Sequence, residues 1–298
     1  MKCTLCPRLC KAEREKGNIG YCGANGDLKV ARAALHMWEE PPISGINGSG
    51  TVFFSHCPLK CVYCQNREIS SGGDGLVISV DRLCDIFFEL KAKGAHNINL
   101  VSPTQYVNEI TESVTLAKAN NIGIPFVYNT SGYERVETLE KLNGLIDIYL
   151  TDFKYMSAEK AKRYSNAFDY PTVATAALSE MMRQQPRCVF DGDMLKRGVI
   201  VRHLVLPDNI SDSKDVIDAV TDICGDGAYL SLMRQYTPTV GCTCEEIARP
   251  ITDKEYEEVV NYALLCGVKN MFIQDGESVS ESFIPAFNYE GVLKNDTE

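Results

Sequence analysis

Short apolar runs alternate along most of the chain with longer stretches in which apolar residues recur every three or four positions. The short runs are of strand length, and Gly, Pro, Asn or Asp bound most of them. We expect strands at residues 51–55, 97–102, 124–129, 147–152, 199–206, 228–233 and 270–273.

The longer stretches between these runs have helical periodicity. In residues 79–93, Leu83, Ile86, Phe87 and Leu90 fall on one face, and Ser79 is a suitable N-cap. Residues 107–119, 213–224 and 252–266 follow the same pattern. Repeated strand–helix units predict parallel strands with helices packed outside them, as in an α/β barrel or a doubly wound sheet.

The first fifty residues differ from the rest, because they are rich in Cys, Gly and Pro and have little periodicity. The Gly- and Ser-rich run 44–50 has the composition of a linker. We therefore expect a small Cys-rich metal-binding segment at 1–50, followed by a barrel with a C-terminal extension at 51–298.

Composition narrows the classes of function. The chain has 298 residues, 45% of them hydrophobic, and a formal net charge of −10, so a nucleic-acid backbone is not an expected partner. The N-terminus lacks the apolar core of a signal peptide, and no run approaches the roughly 18 apolar residues of a membrane span. We expect a cytoplasmic protein without membrane association, in which the 13 cysteines stay reduced and those at short fixed spacings serve metals or catalysis.

The strongest chemical motif follows the first predicted strand. Cys57, Cys61 and Cys64 have the spacing C-x3-C-x2-C, which lets three thiolates surround one face of an iron–sulfur cubane. Three protein ligands leave one iron open for a chelating co-substrate. The alternative is a structural zinc site, with His56 or a distant group as the fourth ligand.

A second set of cysteines lies in the N-terminal segment. Cys3, Cys6, Cys10 and Cys22 supply four thiolates, a closed set that suits structural zinc or an electron-relay [4Fe–4S] cluster equally. A bound metal would explain how a segment with little apolar periodicity folds. A segment without metal is the remaining alternative.

Taken together, these motifs resemble the radical S-adenosylmethionine superfamily. The resemblance is closest to the group of pyruvate formate-lyase activating enzymes, in particular a branch with a Cys-rich N-terminal segment. Besides the two cysteine sets, it rests on segments spread over nearly the whole chain. These are residues 99–106, Tyr164-Ser-Asn166, residues 197–207, Gln235-Tyr-Thr-Pro238 and Ser282-Phe-Ile-Pro285.

The resemblance implies a partial (β/α)6 radical-SAM barrel, a [4Fe–4S] cluster on Cys57, Cys61 and Cys64, and S-adenosylmethionine as co-substrate. In the family, the reduced cluster cleaves S-adenosylmethionine to a 5′-deoxyadenosyl radical, which removes a substrate hydrogen. Barrel chemistry gathers at the C-terminal ends of the strands. The residues expected there, facing the cluster, are Ser102, Thr104, Asn129, Thr130, Ser131, Asp152, Lys154, Arg202 and His203.

Some of these positions match family motifs individually. Tyr63, before the third cysteine, corresponds to a residue near the adenine. Asn129 and Thr130 fall on the family's Asp-Thr, while Asp152 and Lys154 fall on its Asp-x-Lys, groups that bind the carboxylate end of the co-substrate. Arg202 matches a strand-end arginine of the same pocket.

The chain also departs from the family pattern. Ser102-Pro-Thr104 stands where many members carry Gly-Gly-Glu for the co-substrate's amino group, so this contact lacks its usual carboxylate. In the family, the strand-end groups bind the co-substrate's carboxylate partly through a monovalent cation. Asn129 stands in place of an aspartate among these groups, which weakens the expectation of such a cation here.

The resemblance therefore implies an enzyme that activates a partner protein by forming a glycyl radical, with a flavodoxin or ferredoxin as its low-potential electron donor. Two alternatives remain open. One is radical modification of a peptide or small molecule, and the other is a non-catalytic zinc-binding structural or regulatory protein.

Overall fold

The computed structural model describes residues 2–238, 244–274 and 285–294. Most of the predicted segment Ser282-Phe-Ile-Pro285 therefore lies outside the described residues, and only Pro285 belongs to them.

The architecture is an open, mostly parallel sheet covered on its outer face by helices. The strands are β1 (Lys29–His36), β2 (Ser49–Phe54), β3 (Leu76–Val77), β4 (Ile98–Val101), β5 (Phe126–Thr130), β6 (Ile148–Asp152), β7 (Val189–Asp191), β8 (Met194–Leu204), β9 (Tyr229–Met233) and β10 (Met271–Ile273). The parallel part runs β2-β4-β5-β6-β8-β9-β10.

The α-helices alternate with these strands along the chain. They are α1 (Pro41–Ser44), α2 (Arg67–Ser70), α3 (Val80–Ala92), α4 (Val107–Ala119), α5 (Val136–Leu139), α6 (Ala158–Ser165), α7 (Tyr170–Gln184), α8 (Ile210–Cys224) and α9 (Asp253–Leu265). The Ser79 side chain caps α3 by accepting from the Arg82 amide, and Thr252 forms a capping box with Glu255 at α9.

The predicted fold class is confirmed. Each of the seven predicted strands is present and each joins the parallel part of the sheet, with its ends displaced by a few residues. Six strand–helix units are followed by the short strand β10, and this arrangement is a partial barrel.

Two features of the sheet were not predicted. Strand β1 pairs antiparallel with β2 and with the short strand β3, so residues before position 50 extend the sheet. Strand β7 forms an antiparallel hairpin with the start of β8. The division at residue 50 into a Cys-rich segment and a barrel stays a prediction.

The expected linker at 44–50 is wrong. These residues include the end of α1 and the start of β2, and Ser44 and Ser49 are buried. Their glycines permit close packing: a Cβ on Gly45 would lie 2.7 Å from Met194 Sδ, and one on Gly50 would lie 2.9 Å from the Asn97 carbonyl oxygen. A Gly-rich composition therefore reflects tight contacts here.

The inner face of the sheet is closed at its base by an apolar layer. Ile43 of α1 packs with Val127 of β5, Leu150 of β6 and Ile200 of β8, all of them fully buried. Because side chains alternate along a strand, the residues two positions later point to the same face. Those residues are Asn129, Asp152 and Arg202, so the interior becomes polar towards the C-terminal ends of the strands.

Among the described residues, no helix is both long and apolar enough to cross a membrane.

Candidate active site

A cavity of about 640 Å³ opens at the C-terminal ends of the parallel strands. The cluster loop, which we define as residues 56–66, forms one wall, and strand-end side chains form the opposite wall. Of the residues predicted from the sequence, the cavity is lined by Cys57, Cys61, Tyr63, Cys64, Ser102, Asn129, Thr130, Ser131, Asp152, Lys154 and Arg202.

The three cysteines of the loop are held by local backbone geometry and by hydroxyl groups. His56 and Lys60 have φ values of 74° and 56°, a left-handed conformation that is uncommon outside glycine. Ser165 Oγ donates to Cys61 Sγ at 2.9 Å, and the hydroxyl of Ser70 lies 3.3 Å from Cys64 Sγ. Strained backbone that is retained beside reactive groups is a feature of functional sites.

The chemistry of these thiols fits a metal cluster. Burial raises the pKa of Cys57 to about 12, and it also raises the pKa of Cys61 despite the nearby ammonium group of Lys154. Buried thiols ionise when a metal centre compensates the charge of the thiolate. Three thiols on one short loop, two of them beside hydroxyl groups, therefore form a suitable ligand set for an iron–sulfur cluster.

Comparison with known proteins relates part of the chain to a known family. Residues 51–184 match the family model described as the Radical SAM superfamily. This region, which is less than half of the chain, is similar to radical SAM domains. The match favours an enzyme with a [4Fe–4S] cluster and S-adenosylmethionine as cofactors.

Two sequence relatives are similar over much of the chain. An uncharacterized protein of Methanocaldococcus jannaschii is 27% identical over 271 residues, which cover 88% of this chain and 74% of the relative. The pyruvate formate-lyase-activating enzyme of Listeria monocytogenes is 23% identical over 176 residues, covering 55% of this chain and 65% of that enzyme.

Among solved structures, Streptococcus suis SuiB bound to S-adenosylmethionine has a similar fold. The TM-score is 0.54 at 14% identity, and the match covers 74% of this chain and 48% of SuiB. This chain thus spans about half the length of SuiB, and the likeness concerns the fold alone.

Within the domain, Asp152 and Lys154 form an ion pair in the cavity wall. Lys154 Nζ lies 2.5 Å from Asp152 Oδ2, and both side chains are mostly buried. Burial alone would lower the pKa of Lys154, but the carboxylate of Asp152 raises it well above its ordinary value. The lysine therefore stays charged and can present an ammonium group to an anionic ligand.

Arg202 lines the cavity, but two carboxylates that we did not predict from the sequence surround it. Its Nε and Nη2 donate to Glu40 at 2.7 and 2.6 Å, and Nη2 also bonds to Glu39. Burial alone would lower the pKa of Arg202, but the two carboxylates raise it well above its ordinary value. The guanidinium is thus neutralised by protein groups before any ligand binds.

Glu39 connects this ion cluster to the strand-end amides. Its Oε1 accepts from Asn99 Nδ2 at 2.8 Å and from Asn129 Nδ2 at 3.4 Å. The two carboxylates of Glu39 and Glu40 against the one guanidinium of Arg202 leave excess negative charge on the cavity floor. The sequence motif Gly-Gly-Glu, which would bring another carboxylate, is replaced by Ser102-Pro-Thr104. A cationic group is the ligand that this floor favours.

Tyr63 is buried in the wall beside the cysteines. Its hydroxyl lies 2.5 Å from the Tyr155 hydroxyl, which in turn lies 2.9 Å from Ser165 Oγ. Its ring meets Tyr236 edge to face, with the centroids 6.0 Å apart.

The structure does not bring Thr104 and His203 to the cavity. Thr104 Oγ1 donates to Glu134 Oε1 at 2.6 Å, on the outer side of the strand ends. His203 is buried between the Phe153 carbonyl oxygen and Ser213 Oγ, at 2.8 and 2.9 Å. Thr104 follows a predicted strand and His203 lies within one, but both side chains point away from the interior.

The N-terminal cysteines form a separate group. Cys10 Sγ and Cys22 Sγ both lie within 4 Å of a Cβ built on Gly20, and the thiols of Cys3 and Cys10 are hydrogen-bonded. Backbone amides of Arg8 and Ala24 donate to Cys6 and Cys22, an arrangement that stabilises thiolates. Within residues 2–238, 244–274 and 285–294, no three His, Cys, Asp or Glu side chains converge on a single-ion position.

Sequence reasoning missed four residues that contact the site: Glu39, Glu40, Ser70 and Ser165. Ser165 had a usable signal, because it lies in the Tyr164-Ser-Asn166 segment that carried the family resemblance. Glu39 and Glu40 had none, since their place in the cavity depends on α1 entering the barrel.

Proposed function

We propose that this protein is a radical S-adenosylmethionine enzyme that cleaves S-adenosylmethionine reductively and activates a partner protein by forming a glycyl radical. The proposal rests chiefly on one observation: Cys57, Cys61 and Cys64 line the same cavity as the strand-end groups Asn129, Asp152 and Lys154. A cluster ligand set and a binding surface for a charged co-substrate are therefore adjacent.

In this proposal, the three thiolates hold the cluster, and the hydroxyls of Ser165 and Ser70 stabilise thiolate charge at Cys61 and Cys64. When bound, the cluster and S-adenosylmethionine supply a one-electron reduction and a carbon-centred radical that removes a hydrogen atom. A flavodoxin or ferredoxin is the proposed source of the electron.

The remaining residues bind and orient the co-substrate. Lys154, kept charged by Asp152, faces its carboxylate, and Asn129, Thr130 and Ser131 supply polar contacts at the end of β5. Tyr63 is the proposed neighbour of the adenine. Glu39 supplies negative charge for the ammonium or sulfonium group, the role left open by Ser102-Pro-Thr104.

Two observations favour a macromolecular target. Trp38 and Ile273 line the cavity and are 53% and 46% exposed, so the rim offers apolar surface to a partner. The similarity to the Listeria pyruvate formate-lyase-activating enzyme supports a protein target, while SuiB, solved with its precursor peptide SuiA, supports peptide modification as the alternative.

We further propose that Cys3, Cys6, Cys10 and Cys22 bind zinc or a second [4Fe–4S] cluster. Amide donors to the sulfurs support either metal centre. Metal analysis of a Cys57→Ala/Cys61→Ala/Cys64→Ala variant separates them, because iron and sulfide remaining in that variant indicate a second cluster, whereas zinc indicates a structural ion.

The function is tested by anaerobic purification, reconstitution with iron and sulfide, and addition of dithionite and S-adenosylmethionine. We expect 5′-deoxyadenosine from the wild type and none from the triple cysteine variant. A Cys84→Ala/Cys266→Ala variant is the matched control, because those thiols do not line the cavity. A reducible cluster that yields no product contradicts the proposal, and a colourless protein with two zinc ions supports the non-catalytic alternative.

The target class is tested by dividing an extract of the source cells by ultrafiltration and adding each fraction to the reaction. Stimulation by the retained fraction, together with an organic radical signal on a protein, supports glycyl-radical formation. Stimulation by the filtrate supports a peptide or small-molecule substrate.

A further inference from the structure

Among the contacts between the N-terminal segment and the cluster loop, the side chain of Arg8 makes a direct hydrogen bond to the loop backbone. Its guanidinium carbon lies 4.3 Å from the ring centroid of Tyr21 and 5.0 Å from that of Tyr133. Contacts with two aromatic rings orient a planar guanidinium and leave its N–H groups free to donate at its edge.

The edge of the guanidinium contacts the backbone at two places. Nε donates to the carbonyl oxygen of Pro58, inside the cluster loop, at 2.9 Å. Nη1 and Nη2 donate to the carbonyl oxygens of Asn166 and Ser165, at 2.5 and 3.1 Å. One side chain therefore joins the residue after Cys57 to the residues that end α6.

The end of α6 makes this contact favourable. A helix leaves its last carbonyl groups without partners inside the helix, and a cation near that end stabilises them. Ser165 is the last residue of α6, and Asn166 caps it in the left-handed conformation. Arg8 is the cation at this position.

Ser165 connects the end of α6 to the cysteines of the cluster loop. It is 1% exposed, and its hydroxyl donates to Cys61 Sγ at 2.9 Å. The direction of that hydroxyl depends on the final turn of α6, which Arg8 ties to Pro58 and the Val62 amide ties to the cluster loop through the Tyr164 carbonyl oxygen, and on the Tyr155 hydroxyl 2.9 Å away.

We propose that Arg8 is a positioning residue for the iron–sulfur site, which holds Ser165 in place so that its hydroxyl donates to Cys61. A hydrogen bond to a ligating sulfur stabilises the more negative, reduced cluster and so raises its reduction potential. Arg8 reaches the metal through Ser165 and Pro58 and does not contact it.

This inference rests on the proposed function only in that Cys57, Cys61 and Cys64 hold a cluster. The test is the midpoint potential of the reconstituted cluster, followed by electron paramagnetic resonance in an anaerobic titration, with iron content and circular dichroism measured on each sample. The variants are Ser165→Ala, Arg8→Gln, the double variant and Arg8→Lys.

We expect Ser165→Ala and Arg8→Gln each to shift the potential to more negative values. The double variant should shift no further than Ser165→Ala, because both changes remove the same hydrogen bond. Arg8→Lys keeps the charge but loses the planar donor fork, so its shift should be smaller than that of Arg8→Gln.

Arg135→Ala is the matched control. Arg135 Nη1 donates to the Thr4 carbonyl oxygen at 2.7 Å, so it also ties the N-terminal segment to the barrel, and its ion pair is with Glu137, outside the cluster loop. Its potential should equal that of the wild type.

A wild-type potential in Arg8→Gln alongside a shifted Ser165→Ala overturns the inference, as does an additive double variant. If Arg8→Gln and Arg8→Lys lose iron while their secondary structure is intact, the positioning role is supported. If both lose iron and secondary structure together, Arg8 is a folding residue and the inference fails. A wild type that shows no cluster signal contradicts the proposed function itself.

Discussion

The guanidinium of Arg202 and the carboxylate of Glu40 form a two-point ion pair on the cavity floor, with Nε–Oε1 and Nη2–Oε2 distances of 2.7 and 2.6 Å. Both side chains are almost fully buried, and the pair joins β8 to the residue that precedes α1. Burial alone would raise the pKa of Glu40, but Arg202 holds it below its ordinary value.

Removing Arg202 should therefore destabilise the protein strongly. Arg202→Ala leaves Glu39 and Glu40 buried without a cation, which costs about 3–5 kcal/mol in comparable cases. Denaturant unfolding at neutral pH measures the change. Arg163→Ala is the control, because it breaks an exposed pair with Glu246 and should change the unfolding midpoint far less. Similar midpoints for the two variants would contradict a structural role for the buried pair.

Glu134 should make stability depend on pH. Its Oε1 accepts from Thr104 and Thr130, its Oε2 has no hydrogen-bond partner among the described residues, and burial raises its pKa from 4.5 to about 7. Because the folded-state pKa exceeds the unfolded one, this group contributes most stability below pH 4.5 and loses it as pH rises through about 7.

Glu134→Gln removes this loss. As the pH rises from 5 to 8, the free energy of unfolding of the variant should increase by roughly 2 to 3 kcal/mol relative to that of the wild type. Chemical denaturation across this range provides the measurement. Glu137→Gln, on an exposed carboxylate, should keep the wild-type pH profile. Parallel profiles for Glu134→Gln and wild type would show that Glu134 titrates normally.

Gly23 should be intolerant of a side chain. It has a φ of 101°, and a Cβ there would lie 2.8 Å from Nδ1 of His56, the residue before Cys57. Gly17 has a φ of 83° but open space around it, so Gly17→Ala isolates the backbone cost, about 1–2 kcal/mol.

We expect Gly23→Ala to be less stable than Gly17→Ala and to retain less iron after reconstitution, because the clash displaces His56. Thermal unfolding and iron analysis of the two variants test this. Equal iron retention would indicate that the ring of His56 moves aside without disturbing the loop.

Lys154 should contribute to co-substrate binding. Lys154→Met removes the ammonium group proposed to face the carboxylate of S-adenosylmethionine, so affinity should fall about tenfold or more, equivalent to about 1.4 kcal/mol. Anaerobic equilibrium dialysis of the reconstituted protein measures this. Lys162→Met, on the exposed face of α6, is the control, and equal affinities for the two variants would remove Lys154 from the binding surface.

Local patterns predicted the secondary-structure elements well, for a physical reason. Apolar alternation, helical periodicity and caps such as Ser79 and Thr252 act within a few residues, so the seven parallel strands and the main helices could be located from the sequence. Three cysteines within eight residues are close in any fold, so their position on one wall of the cavity could be expected too.

The side-chain directions at the strand ends were harder to predict. Successive residues of a strand point to opposite faces of the sheet. Arg202 therefore faces the cavity and His203 faces the helices, although both were expected to face the cluster. Ser102 lines the cavity, whereas Thr104 lies beyond β4 in the short helical turn Thr104–Tyr106 and contacts Glu134 outside the cavity, so the strand pattern does not give its direction.

The sequence by itself thus determined the parallel α/β architecture and the loop of three cysteines, because both follow from short-range spacing. The tertiary structure alone decided the contacts between distant segments: Glu39 and Glu40 on Arg202, Ser165 on Cys61, and Arg8 on Pro58. These pairs are far apart along the chain, and periodicity carries no information about which distant residues a folded barrel brings together.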